Sequence, residues 1–198
     1  MESAVESPLV LTRSEPRARI TGRGAVRANL NWRSGTGVDL DLGCLVSFRD
    51  GGGTVVQALG DAYGSLTSWP YVALDQDDRT GASSDGETLR VSQEHRSLFR
   101  QLLFFVYVYE GAADFRHLGA TVSVTAPGDA GCRILLDDSP AGATACAIAL
   151  VTPDGNGLSV RREVRWFTPR WTMWIQQQID RAYGFGLEWT HATKPPRD

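Results

Sequence analysis

The chain of 198 residues is predicted to be mainly β: a two-sheet antiparallel β-sandwich with one C-terminal α-helix. Three observations predict it. Apolar residues recur with period two along most of the chain. Gly, Pro and Asp turn chemistry separates the runs at near-regular spacing, giving about ten short strands. A single segment, 170–183, carries helical spacing instead.

In residues 25–32, Val26, Ala28, Leu30 and Trp32 share one face, with Arg27, Asn29 and Asn31 opposite. In residues 38–48, one face carries Val38, Leu40, Leu42, Cys44, Val46 and Phe48. Both read as half-buried strands. Asp50-Gly51-Gly52-Gly53 then turns the chain, and 54–59 returns as the hairpin partner. Residues 102–109, LLFFVYVY, are apolar on both faces and suit a central covered strand. Further strands are expected at 119–126, 132–137, 144–151 and 158–167.

In residues 170–183, Trp171, Trp174, Ile175, Ile179 and Ala182 fall at helical spacing, with Gly184 as the C-terminal cap. GFGLEW, which follows, reads as a short strand or extended arm. The stretch 10–24 is basic and broken by Pro16, so it is expected to be loosely attached. The chain reads as one domain over 1–198, with 1–8 and 191–198 as flexible tails.

A net charge of −3 argues against a nucleic-acid binder, which would show a basic stripe. The cations are nineteen Arg and one Lys, Lys194, a skew that reads as codon bias. Cys44, Cys132 and Cys146 each lie in apolar runs and read as buried free thiols, since their spacing suits neither a disulfide framework nor zinc. The N-terminus lacks the basic and apolar regions of a signal peptide, and no run is long enough to span a bilayer. A cytoplasmic location is therefore expected.

The chemistry concentrates in residues 75–87, DQDDRTGASSDGE. Asp75, Asp77, Asp78, Asp85 and Glu87 crowd there against the single cation Arg79. Like charges packed this closely repel unless a positive group neutralises them. Leu74 before the loop and Leu89 and Val91 after it read as strand ends. An acidic loop rich in oxygen ligands and turn formers suits a hard cation such as Ca²⁺.

The pattern is not an EF-hand. With Asp75 at position 1, Arg79 falls at position 5, Thr80 replaces the required Gly, and Gly86 stands where Glu should close the loop. Asp39 and Asp41 lie about 7 Å apart on one side of their strand, opposite its apolar residues. They read either as a solvated polar face or as a second half of the cation site. The candidate ligands are Asp39, Asp41, Asp75, Asp77, Asp78, Asp85, Gly86 and Glu87.

VDLDLGCLV at 38–46, DDRTGASSDGETLRV at 77–91, FVYVYEG at 105–111 and EVRWF at 163–167 together resemble the TerD-type domain of bacterial tellurium-resistance and general-stress proteins. CAIALV at 146–151 and DRAYGFGLEW at 180–189 look most like the TerA branch. The resemblance runs from about residue 8 to 190. It implies a two-sheet β-sandwich with a calcium site. Asp77 and Asp78 match the start of the family loop; Asp85, Gly86 and Glu87 match its acidic end; Asp39 and Asp41 match its Asp-Leu-Asp strand. Ser83 and Ser84 stand where TerD proper has Gly and Asp, and the loop is one residue shorter, which favours one calcium ion over two. The resemblance implies a non-enzymatic binding or scaffold module with protein partners in a stress or defence complex.

Other chemistry is sparse. His95, His117 and His191 fit no metal spacing, and Glu110 reads as an isolated acid at a strand end or a further ligand. The cluster Trp166, Phe167, Trp171 and Trp174 reads as core. Trp69-Pro70-Tyr71, just ahead of the acidic loop, would suit a membrane- or ligand-contacting rim. Two rivals to the scaffold reading follow: a calcium-dependent membrane-surface module like a C2 domain, touching the bilayer peripherally, and a divalent-metal enzyme. The first lacks a Lys cluster, and the second lacks a nucleophile or tuned base.

Overall fold

A computed structural model of the chain describes residues 7–75, 86–111 and 114–196. In chain order the elements are β1 (Leu9–Val10), β2 (Arg17–Ile20), β3 (Ala25–Asn31), β4 (Asp39–Phe48), β5 (Gly53–Val56), β6 (Gly64–Ser65), β7 (Val72–Leu74), β8 (Glu87–Ser92) and β9 (Phe99–Glu110). A short helix α1 (Phe115–Leu118) follows, then β10 (Thr121–Ala126), β11 (Asp129–Leu135), β12 (Ala145–Asp154), β13 (Gly157–Phe167) and helix α2 (Ile175–Tyr183).

The strands form the two sheets of the expected sandwich. One runs β1-β11-β10-β3-β8-β7-β6 and the other β2-β13-β12-β9-β4-β5. Neighbours are antiparallel except β1 and β11, which pair parallel. The period-two faces meet between the sheets: Val26, Ala28 and Leu30 from β3 pack with Leu40, Leu42, Cys44 and Val46 from β4 and Leu102, Phe104 and Val106 from β9. Burying each such aliphatic side chain contributes about 1.5–3 kcal/mol.

A second apolar layer covers the outside of the β4-β9-β12 region. Leu45, Leu103, Phe105, Tyr107, Ala145 and Ala147 pack beneath Ile179 of α2 and Phe185 beyond it. Every residue of β4 is therefore buried, and LLFFVYVY is a central strand covered on both sides through Tyr107. Gly43 makes this packing feasible: a Cβ there would overlap the Phe105 ring, its partner across the ladder.

Three expectations need correction. The stretch 10–24 is not loose: β2 pairs with the edge of β13, and Leu11 and Ile20 are buried. Its basic character comes from Arg17 and Arg19 facing out while Ile20 faces in. The helix begins at Ile175, not at 170. Arg170 and Met173 form an isolated bridge, which leaves Trp171 fully exposed at a turn and Trp174 half-exposed at the helix start. Those two residues produced the apparent helical spacing but do not join the core, whereas Trp166 and Phe167 pack against the two apolar layers. Finally, residues 191–196 lie against the body of the protein.

Gly184 caps α2 in the left-handed region, as expected, and its N–H donates to the Asp180 carbonyl. An extended arm follows, with no strand pairing. The buried Asp180 carboxylate holds the start of this arm, accepting the N–H of Gly186 at 2.7 Å and of Leu187 at 2.9 Å and the Trp189 indole N–H at 2.7 Å. Among the described residues no helix is long and apolar enough to cross a membrane.

Candidate metal centre

The acids meet at one end of β4. There β5 pairs only with Cys44–Ser47, so one edge of residues 39–43 has no strand beside it. Glu87, the first residue of β8 in the opposite sheet, reaches this edge, and its Oε2 accepts the Leu42 N–H at 2.6 Å. A buried backbone donor is satisfied, and the carboxylate stitches the two sheets together. Glu87 is itself fully buried.

Asp39 and Asp41 are buried as well, so the reading of them as a solvated polar face is wrong. They do lie opposite the apolar residues of β4. That outer face, however, is covered by α2 and the arm rather than by water. Tyr107, the ladder partner of Asp41, is buried beside them. Its hydroxyl lies close enough to interact electrostatically with Asp41 but lacks the geometry of a full hydrogen bond.

The charge opposite this pair is Lys194. Its Nζ stands 2.8 Å from Asp39 Oδ2 and 2.5 Å from Asp41 Oδ1, and its side chain is 1% exposed. The same ammonium lies 4.5 Å from the centre of the Tyr109 ring, within cation–π range. Burial pushes the Asp41 carboxyl up to about 6, with Lys194 pulling the other way and Asp39 adding to the rise. Lys194 arrives on the arm, where the Gly60 N–H donates to the Thr193 carbonyl at 2.9 Å.

The structure brings Asp39, Asp41 and Glu87 to this region and places other expected ligands differently. Asp75 turns to Arg90, whose Nε donates to both its oxygens at 2.6 and 2.9 Å. Gly86 sits at φ +60°, and a Cβ there would run into the Leu30 carbonyl, so the loop re-enters β8 through a position suited to glycine. Asp77, Asp78 and Asp85 lie outside the described residues. Glu110 is exposed. Histidines are engaged elsewhere: His95 stacks on Tyr71 and pairs with Ser92, and His117 faces Asp114.

Among the described residues, no three His, Cys, Asp or Glu side chains converge closely enough to chelate a metal by themselves. The donor chemistry nevertheless fits a hard cation. Two buried carboxylates, coupled to each other, already hold an ammonium ion. The β7–β8 hairpin that carries the remaining acids ends at Glu87, beside them. Calcium bound here would be held by Asp39, Asp41, Glu87 and the hairpin carboxylates, and would supply charge neutralisation and local order.

No family model matches the chain. Over 205 aligned residues it is 32% identical to the tellurium resistance protein TerA of an Alcaligenes species, a match covering 95% of this chain and 59% of that protein. The chain belongs to the TerD-type tellurium-resistance family. It thus spans about three-fifths of the length of its TerA relative. Two crystal structures share the fold. A protein of unknown function superposes with a TM-score of 0.58 at 14% identity, covering 75% of this chain and 93% of that one. A homologue of the telluride resistance protein TerD from Streptomyces coelicolor A3(2) gives 0.56 at 21% identity, covering 76% and 94%.

Within this TerD-type domain, sequence reasoning missed Lys194 and Tyr107. Tyr107 was hidden in an apolar run. Lys194 carried a signal: it is the one lysine in a chain that otherwise uses arginine. A buried pairing with two acids on the arm accounts for that position better than composition does. The aromatic rim also needs correction. Trp69 is exposed but stacks on Phe48, at the far end of β4 from Asp39. Nine residues of strand separate those ends by about 30 Å, so Trp69 is not beside the acidic site.

Proposed function

We propose that this TerD-type domain is a calcium-binding module that works through a surface ordered by the ion rather than through catalysis. One observation carries this reading. Asp39, Asp41 and Glu87 are buried together at the unpaired end of β4, beside a hairpin whose sequence adds Asp77, Asp78 and Asp85. Carboxylates removed from water need a countercharge, and six to eight oxygens around a hard divalent cation provide the matching chemistry. Burial has already raised the Asp41 carboxyl to about 6, so the existing countercharge leaves it under-compensated.

The function that follows is stabilisation by linkage. An ion that binds the folded hairpin and not the unfolded chain raises stability by mass action and orders the carboxylate loop. The ordered loop then serves as a docking surface for protein partners in a cytoplasmic stress complex of the tellurium-resistance type. Isothermal titration with CaCl₂ at physiological ionic strength, paired with a thermal melt, tests the reading. Saturable binding heat and a raised melting temperature are expected. Absence of heat together with an unchanged melt would overturn it.

A further inference from the structure

We infer that Lys194 is the resident cation of this acidic centre, and that residues 190–196 form a tethered plug which a divalent cation must displace. The inference concerns regulation of the same site and rests on the calcium reading above.

The geometry sets up direct competition. The ammonium stands 2.8 Å from Asp39 Oδ2 and 2.5 Å from Asp41 Oδ1. A calcium ion needs carboxylate oxygens at about 2.3–2.6 Å, so it would take the same lone pairs. Charge forbids sharing. Two buried carboxylates with one ammonium carry net −1, and a divalent ion alone brings the trio to neutrality. Ammonium and divalent ion together would place two cations within a few ångströms in a low-dielectric setting, where repulsion is strong.

The tether lets exchange happen without unfolding. The Asp180 carboxylate pins the arm through Gly186, Leu187 and Trp189. Beyond Trp189 the arm joins no strand. Five residues from Trp189 to Lys194 reach about 17 Å when extended, so the ammonium can swing clear while the Asp180 clamp stays closed. Segments with few backbone pairings open at low free-energy cost. While anchored, Lys194 is present at high effective concentration and masks the site until the divalent ion rises enough to compete.

Displacement changes a surface. The plug covers Tyr109 and one wall of a cavity of about 160 Å³ lined by Gln57, Leu59, Trp174, Gln176, Trp189 and the arm itself. Releasing it exposes aromatic and amide groups in one step, so ion binding is converted into a new contact face.

The test uses the full chain and its Lys194→Met variant. Each is titrated with CaCl₂ by calorimetry, and hydrogen exchange of the amides at 190–194 is followed with and without calcium. In the wild type, saturating calcium is expected to accelerate exchange across 190–194 at least tenfold. The variant is expected to bind calcium at least tenfold tighter, with its arm already in fast exchange. Equal affinities, or an arm equally protected at saturating calcium, would overturn the plug and leave the calcium reading standing. No heat from either protein would sink the calcium reading and the competition with it. If the variant does not fold without calcium, the wild-type exchange measurement decides alone.

Discussion

The Trp189 indole N–H donates to the Asp180 carboxylate at 2.7 Å, tying the arm to the helix that precedes it. The same carboxylate takes two backbone N–H groups from the arm, so one side chain sets the direction in which the chain leaves α2. Everything the arm delivers, Lys194 included, depends on that direction.

Replacing Asp180 by Ala is therefore expected to loosen the arm from its root. Three donors lose a charged acceptor in a partly buried setting, at a cost of about 2–4 kcal/mol. Urea unfolding should show the loss, and Trp189 emission should shift to the red before the global transition. Unchanged emission and midpoint would show that the clamp contributes nothing.

Glu87 combines a structural and an electrostatic role, and two substitutions separate them. Glu87→Gln keeps an acceptor for the Leu42 N–H and removes the charge. It should fold with near-native stability and lose calcium affinity by tenfold or more. Glu87→Ala leaves the buried N–H without its acceptor and should cost a further 1–3 kcal/mol or so in the metal-free protein. Similar calcium affinity in Glu87→Gln and wild type would remove Glu87 from the ligand set.

The three cysteines should be inert in the folded protein. Cys44, Cys132 and Cys146 are free and buried, and burial raises all three thiols, Cys132 to about 12. Thiolate is the reactive form, so a disulfide reagent at pH 8 should label none in the native state and all three after unfolding. Rapid native labelling at any of them would contradict the packing, and would reopen thiol chemistry as part of the function.

Acid should weaken the contact between the start of the chain and β13 in a defined window. Burial works to raise the Asp138 carboxyl. The Trp166 indole N–H and the guanidinium groups of Arg13 and Arg162 outweigh it and hold the group below the usual range. A carboxyl depressed in the folded state contributes stability above its unfolded pKa, and that stability is lost as pH falls through the folded value. Stability should therefore fall below about pH 4, and Asp138→Asn should flatten that limb of the profile. An unchanged acid limb in the variant would show that Asp138 is not the group responsible.

Much of the fold was legible because period-two burial is a local property. Each strand from β3 to β13 that lines the interior shows its inward face in its own residues, as β3 does with Val26, Ala28 and Leu30. The helix boundary was less legible. Trp171 and Trp174 satisfy helical spacing by chance, and burial, which only the packed molecule assigns, removes them. Of the candidate site, the Asp-Leu-Asp strand and Glu87 were read correctly as belonging together, but the reason was misjudged. Asp39 and Asp41 looked like a water-facing row because alternation shows which residues lie opposite the core. It does not show whether a helix and an arm will cover them.

By itself, then, the sequence determined the sandwich class, the strands, the buried thiols and the family, since all of these follow from residue type and near-neighbour order. Only the tertiary structure decided that the acids are buried, that Glu87 closes the free edge of β4, and that Lys194 crosses 155 residues of chain to reach Asp39. The physical reason is that a countercharge is chosen by proximity in space. Nothing in the local pattern around residue 194 records which carboxylates its ammonium will meet.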